Sequence, residues 1–583
     1  MAPGRQYEFG AYRLDEQGPM LFRDGERVAL PPKVVELLFA LVQAAGRVLT
    51  REQLLQHLWP NAVVEEGSLT SHISLLRKAL AADGNGPELI ETVPKRGYRF
   101  VASVKRTGSD TPAGGDRRDM LVVLPFENLT SGDKYDYFSD GLTEEMITEL
   151  ARLSPERLGV IARTSAMQFK STTKNIGQIG GDLGVSHVLE GSVRRAGERV
   201  RITAQLIRVS DETHLWAQSY ERGLHDVLEV QAEVARAVAQ EIQIKLTPHD
   251  EQRLRPEKRR SVNPEAHELY LRGRHFWYRR TEEGMRKSIE CFEEALRHDP
   301  GFAAAYDGIS DAHTMLACRG ITPVAESFHK AKAAARQAVT IEPGLGEGYA
   351  SLAHVRLHDW DWVGLEGDFC RSMELDPGYA IAHYWYAEYL MAMGRTAEAL
   401  ARVQHSWELD PLNSVINASV GMIHYLAHDY DGALIALRRG LEVDPTHYVS
   451  HLRVGLAYLQ KNLTNEAIEA MRQAVMHSGG NTEALAGLAQ AHAVAGETST
   501  MAKIVAELGQ SGHRYVSPYN VARVYGAIDD KQLALEWLER AYQEHNPDLI
   551  ELTREPSFAS LRSDAKFREL MSRVGWSGAA HRE

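Results

Sequence analysis

The chain has 583 residues, 44% of them hydrophobic and 25% charged, with a formal net charge of −13; that length predicts three or more domains and that composition a globular protein rather than a disordered polymer. The acidic balance excludes non-specific coating of nucleic acid, so any such contact must be local. Three scattered cysteines, Cys291, Cys318 and Cys370, exclude a disulfide framework and a zinc signature, no apolar run nears the roughly 20 residues of a spanning helix, and "MAPGRQYEFG" lacks the apolar core of a signal peptide, so the expectation is a soluble cytoplasmic protein without membrane contact.

In chain order, "YEFGAYRLDEQGPMLFRDGERVAL" has short apolar runs broken by "EQG" and "DGE", which predicts a small antiparallel sheet. "PPKVVELLFALVQAAGRVLT" follows with Val34, Leu37, Leu38, Leu41 and Val42 at helical spacing, stopped by Gly46. "TREQLLQHLWP" predicts a second helix, with Thr50 as N-cap and Gln53 completing a capping box. In "EGSLTSHISLLRKAL", Leu69, Ile73, Leu76 and Leu80 share one face at about 100° per residue. The opposite face carries Gly67, Thr70, Ser71, Ser74, Leu75 and Lys78, with Arg77 at its flank. A helix that enters a major groove wants small or polar side chains against base edges; the bland alternative is a solvated surface face. His72 reads as packed rather than ligating.

"PELIETVPKRGYRFVASV" predicts two strands about a turn at Gly97, with Lys95 and Arg96 at its tip and Tyr98 and Arg99 beside it. Three helices followed by such a hairpin make a winged helix, whose tip reaches phosphates or the minor groove. Residues 5–104 closely resemble the OmpR/PhoB-type DNA-binding domain, through "LPPKVVELLFALVQAAGRVLTREQLLQHLWP", "VEEGSLTSHISLLRKAL" and "IETVPKRGYRF". "VPKRGYRF" is most like the CadC-like one-component members. The resemblance implies transcriptional regulation without a phosphorylated receiver, through contacts from Gly67, Ser68, Thr70, Ser71, Ser74, Leu75, Arg77, Lys78, Lys95, Arg96 and Tyr98. Residues 1–104 hold 12 Lys+Arg and 12 Asp+Glu. Ser74 and Leu75 also stand where such domains commonly place basic residues. Affinity therefore rests on a few placed cations, which favours paired half-sites.

Residues 105–118 read as a linker. From "MLVVLPF" to about residue 246, strand, helix, strand, short helix and two long strands around "AGE" suggest an α/β domain. It resembles the N-terminal domain of TolB, which implies a binding or structural module. A charged linker spans 247–262.

From 263 to 575 the pattern is helical and repeats. Pro343, Pro377, Pro411 and Pro445 are each 34 residues apart, the tetratricopeptide period. Gly394, Ala399, Gly455 and Ala467 put small residues where paired helices cross. Pro300 closes an earlier unit, and the longer interval to Pro343 predicts a loop insertion. The expectation is seven to nine helical pairs. The tetratricopeptide resemblance implies a superhelix whose concave face binds a protein partner or a second copy; the alternative is a passive scaffold.

No enzyme is expected. "STTK" at Ser171–Lys174 lacks partner motifs, "PGLGEGY" sits at a repeat boundary, and the 24 histidines show no HExxH. Asp140, Glu144 and Glu145 read as helix N-terminal acids favoured by the dipole. The expected protein is multidomain: a winged helix (α+β), an α/β TolB-N-like domain and an all-α tetratricopeptide superhelix. It acts as a one-component, DNA-binding transcriptional regulator with no cofactor and no metal. Two rival readings stand: a repeat scaffold whose winged helix makes protein contacts, and a sensor whose middle domain binds a small molecule that gates DNA affinity.

Overall fold

The computed structural model describes residues 6–576 apart from 10–11, 16–19, 24–25, 29, 44–47, 59–65, 81–88, 94–95, 103–104, 108–117, 131–135, 156, 198, 224–226, 245–262 and 511–514. The chain divides into two compact units, 1–116 and 117–583. Most of the two expected linkers lies outside the described residues.

The first unit opens with the expected antiparallel meander: β1 (Gln6–Phe9), β2 (Tyr12–Asp15), β3 (Met20–Arg23) and β4 (Glu26–Val28). β8 (Lys105–Thr107), at the start of the expected linker, pairs with β1, giving the order β4-β3-β2-β1-β8. Alternation turns Tyr7, Phe9, Tyr12, Leu14 and Leu21 inward. Three helices cover that face: α1 (Pro32–Gln43), α2 (Arg51–Leu58) and α3 (Glu66–Leu80). All five apolar residues predicted for α1, and all four for α3, are buried in one core. The capping box forms: Gln53 N–H donates to Thr50 Oγ1 at 3.1 Å, and Thr50 N–H donates to Gln53 Oε1 at 2.9 Å. β5 (Val48–Thr50), β7 (Gly97–Phe100) and β6 (Ile90–Val93) form a second sheet in the order β5-β7-β6.

The second unit begins with a mixed sheet. β9 (Asp119–Val123), β11 (Leu158–Val160) and β12 (His187–Ala196) are parallel neighbours in the order β11-β9-β12, with β10 (Glu127–Asn128) also on β12. β13 (Arg199–Arg208) and β14 (Thr213–Gly223) continue antiparallel. The sequence pattern does not separate β14, because this edge strand buries only Tyr220. α4 (Asp136–Ala151), α5 (Arg163–Met167), α6 (Ile176–Leu183) and α7 (Val227–Glu241) complete the domain.

Eight helical pairs follow among the described residues, from Pro264–Tyr278 with Glu282–His298 to Pro518–Gly526 with Lys531–Gln543. The helices before Pro343, Pro377, Pro411 and Pro445 end at Ile341, Leu375, Leu409 and Val443, two residues ahead of each proline. Trp360, Gly394, His428, Asn462 and Gly496, each 34 residues apart, all have positive φ, from 57° to 78°. The turn within each pair is thus built alike whether glycine holds it or not. A Cβ on Gly455 would lie 2.6 Å from Met471 Cγ, so the close helix crossing needs a glycine. The long interval after Pro300 is not simply a loop insertion: the helices there, Ala303–Cys318 and Val324–Ile341, have 16 and 18 residues against 13 and 14 in the pair Ala380–Ala392 and Thr396–Leu409.

The middle domain packs directly on these repeats. Leu271 of the first repeat helix belongs to the middle domain's core. Arg274 Nε donates to Glu144 Oε1 at 3.0 Å, and the Tyr278 hydroxyl donates to the same oxygen at 2.9 Å. His267 contacts Glu145, and Ser165 N–H donates to Asp410 Oδ1 at 2.8 Å. This corrects the dipole reading of Asp140, Glu144 and Glu145. They lie past the first turn of α4 and pair with Lys170, Arg274 and His267, so partners rather than the macrodipole explain them.

Beyond the eighth pair, the short helices Pro547–Glu551 and Pro556–Leu561 and the helix Ala565–Val574 fold back along the array. This closing segment bonds the first helices of several pairs: Thr553 to the Ala392 carbonyl, Glu555 from the Tyr425 hydroxyl, and Ser557 from Gln490. Trp362 Nε1 donates to the Val574 carbonyl at 2.8 Å, and its ring centroid lies 4.5 Å from that of Trp576. No helix among the described residues is long and apolar enough to cross a membrane.

Candidate nucleic-acid interface

The N-terminal unit presents one face of α3 beside the β6–β7 wing. Burying Leu69, Ile73, Leu76 and Leu80 turns Thr70, Ser71, Ser74, Leu75 and Lys78 outward, and all five are exposed. Gly67 and Ser68 lie in the first turn of α3. Leu75 keeps 48% of its surface in solvent. An aliphatic side chain there suits the methyl of a thymine better than a polar base edge.

The wing is a tight hairpin. Ile90, Glu91, Thr92 and Val93 pair with Phe100, Arg99, Tyr98 and Gly97, and Arg96 N–H donates to the Val93 carbonyl at 3.1 Å. Gly97 is therefore the first residue of β7 rather than the tip of the turn. It also faces Thr50 of β5, where a Cβ would lie 1.9 Å from the Leu49 carbonyl oxygen. Strand crowding, together with a φ of 159°, demands glycine here. Arg96 is exposed at the turn; Lys95 lies outside the described residues.

Two expected contacts change role. Tyr98 is buried, with 3% of its surface exposed, between Leu49 and Thr92 in the second sheet. Its ring serves the core and cannot reach DNA. The alternation in "GYRF" carries this signal, since Tyr98 and Phe100 fall on one side of β7. Phe100 packs edge-on against Phe9, with centroids 5.1 Å apart. Arg77 bends back to the wing: Nε and Nη2 donate to the Ile90 carbonyl at 3.1 and 2.7 Å, and Nη2 to Thr92 Oγ1 at 2.8 Å. Those bonds clamp α3 to β6, a positioning task that sequence spacing does not reveal. Arg99 pairs with Glu91 at 2.6 Å. Lys78 and Arg96 are the exposed cations of this surface among the described residues.

Helix, clamp and wing define an OmpR/PhoB-type winged-helix domain. Residues 25–100 match the family described as "Transcriptional regulatory protein, C terminal". Residues 117–237 match the second domain of HilA/YgeH-like transcriptional regulators, a different description from the TolB-type module expected there, and residues 448–476 match a tetratricopeptide repeat. The chain is 24% identical to the transcriptional regulator HilA of Salmonella typhi over 447 residues, 76% of this chain and 77% of that protein. It is 39% identical to the transcriptional activator CadC of Escherichia coli over 83 residues, 14% of this chain and 16% of that one. It is 37% identical to a putative adenylate cyclase of Rhizobium meliloti over 236 residues, 40% of this chain and only 39% of that relative's length.

Among the described residues the "STTK" stretch forms no nucleophile–base pair, since Lys174 bonds Asp182 at 2.7 Å.

Proposed function

We propose that the protein is a cytoplasmic, one-component transcriptional regulator without enzymatic activity. Its winged helix reads a major groove with Gly67, Ser68, Thr70, Ser71, Ser74 and Leu75, while Lys78, Lys95 and Arg96 hold the backbone. Arg77 holds wing and helix in register. The observation that carries this reading is the outer face of α3, small, hydroxylic and exposed, clamped beside an exposed cationic turn. The middle domain, 119–246, acts as a TolB-N-like α/β adaptor seated on the repeats, and residues 263–575 form a tetratricopeptide superhelix that assembles with a partner or a second copy. Few phosphate contacts per domain favour cooperative binding to two half-sites about one helical turn apart.

The test is the salt dependence of affinity on a selected duplex and on a scrambled one. Arg96→Ala should weaken binding to both and flatten the logarithmic salt slope by about one. Ser74→Ala should re-rank sequences with little change in slope, because it faces bases. If Arg96→Ala binds both duplexes like the parent across the salt series, the wing is not a DNA contact.

A further inference from the structure

His354 and His358 lie one turn apart on Gly346–His358, the first helix of the third pair. Glu388 comes from Ala380–Ala392, the first helix of the next pair. One ligand atom from each of the three lies within 4.8 Å of the others, the one such trio of metal-ligating side chains among the described residues. The set is held in place. The His354 ring stacks on Trp385 at 3.9 Å with planes 7° apart, and the His358 ring stands nearly perpendicular to it at 4.8 Å. His358 Nδ1 lies 3.4 Å from the Pro547 carbonyl of the closing segment. A proton on that nitrogen leaves Nε2 with its lone pair, the arrangement that orients metal-binding imidazoles.

Glu388 supplies an independent sign. Its Oε2 is buried without a hydrogen-bond partner, and the residue lines a cavity of about 20 Å³ shared with Ser419, Ile550, Glu551 and Arg554. That volume admits one water, and neither histidine lines it. A buried carboxylate oxygen with no partner is costly, and a cation satisfies it.

We propose that His354, His358 and Glu388 form a binding site for a divalent transition metal of the Zn²⁺ class, at the seam between the third and fourth helical pairs and the closing segment. Two imidazoles and one carboxylate are the donor set of three-ligand zinc sites, with the fourth position left to water. Magnesium and calcium want oxygen donors and are excluded by the two nitrogens. Tetrahedral bonds of about 2.1 Å put ligand atoms about 3.4 Å apart, so side-chain movements of about 1 Å from the observed spacing complete the site. Because His358 touches Pro547, an occupied site fastens the closing segment to the array.

The experiment uses full-length, untagged protein stripped with a chelator and desalted. Co²⁺ is titrated and followed by its visible ligand-field absorption, then displaced by Zn²⁺. One equivalent should bind with the intense bands of a four- or five-coordinate ion. His358→Ala and the isosteric Glu388→Gln should each weaken that equivalent by about a hundredfold or more. Zn²⁺ should raise the unfolding temperature of the parent and not of the variants. Absence of a saturable equivalent in the parent overturns the proposal, as does an unchanged absorption band in Glu388→Gln with native helical circular dichroism. Should His358→Ala fail to fold, Glu388→Gln alone decides, because it keeps the side chain's volume.

Discussion

Gly97→Ala tests how closely the wing is built onto the helices. The added Cβ would lie 1.9 Å from the Leu49 carbonyl oxygen and 2.9 Å from both Leu49 C and Thr50 Cα. Ordinary contact is about 3.5 Å, so β5 must retreat by roughly 1.5 Å. That retreat breaks the pairing of Val48 with Arg99 and of Thr50 with Gly97, a loss of about 1 kcal/mol for each of two hydrogen bonds. Thr50 also caps α2, and disturbing the cap costs about 1 kcal/mol more. The sum, about 3 kcal/mol, lowers the melting temperature of a domain this size by about 12–24 °C. Thermal unfolding of residues 1–116, followed by circular dichroism, measures it. A fall of less than about 4 °C refutes the reasoning, because β5 would then yield without losing its bonds.

Thr50→Ala should cost about 1 kcal/mol in the same assay, and Thr50→Gly less, since a cap is lost and no core atom is removed. Phe100→Ala should cost about 3–5 kcal/mol, because the ring is fully buried against Phe9. Arg274→Ala removes one of the two arginines on Glu144 but leaves Arg163 and Tyr278, and should destabilise the second unit by about 1.5–3 kcal/mol, read by urea unfolding. Burial, with Glu483 nearby, pushes the Asp548 carboxyl up to about 7. The folded state therefore favours the neutral acid, and the parent loses stability as pH rises through the window from 4 to 7. Asp548→Asn should match the parent below pH 4 and exceed it above pH 7 by up to about 4 kcal/mol, measured by urea unfolding at a series of pH values.

Local periodicity carries most of the fold. The buried faces of α1 and α3, the Thr50 capping box and the 34-residue repeat are all legible, because each depends on residues within a turn or a pair of helices. Interactions between distant segments are not. Arg77 reads as a DNA cation until Ile90 and Thr92 are placed beside it. Tyr98 belongs to the core because β5 arrives on its far side, 49 residues upstream. Glu144 and Glu145 look like ordinary helix acids until Arg274 and His267 meet them from the first repeat. His354 and His358 stand four residues apart in the sequence, but Glu388 joins them only because successive pairs stack.

The closing segment changes what kind of repeat protein this is. An open array folds by propagation, each unit needing only its neighbours. Here Trp362 and Val574, 212 residues apart, share a hydrogen bond, and so do Thr553 and Ala392, 161 residues apart. During synthesis at about 5–20 residues per second, the third pair waits on the order of ten seconds or more for its last neighbours. Until they arrive, Trp360, Trp362 and Met393 present apolar surface that the finished molecule packs against Trp576, Tyr542 and Phe567.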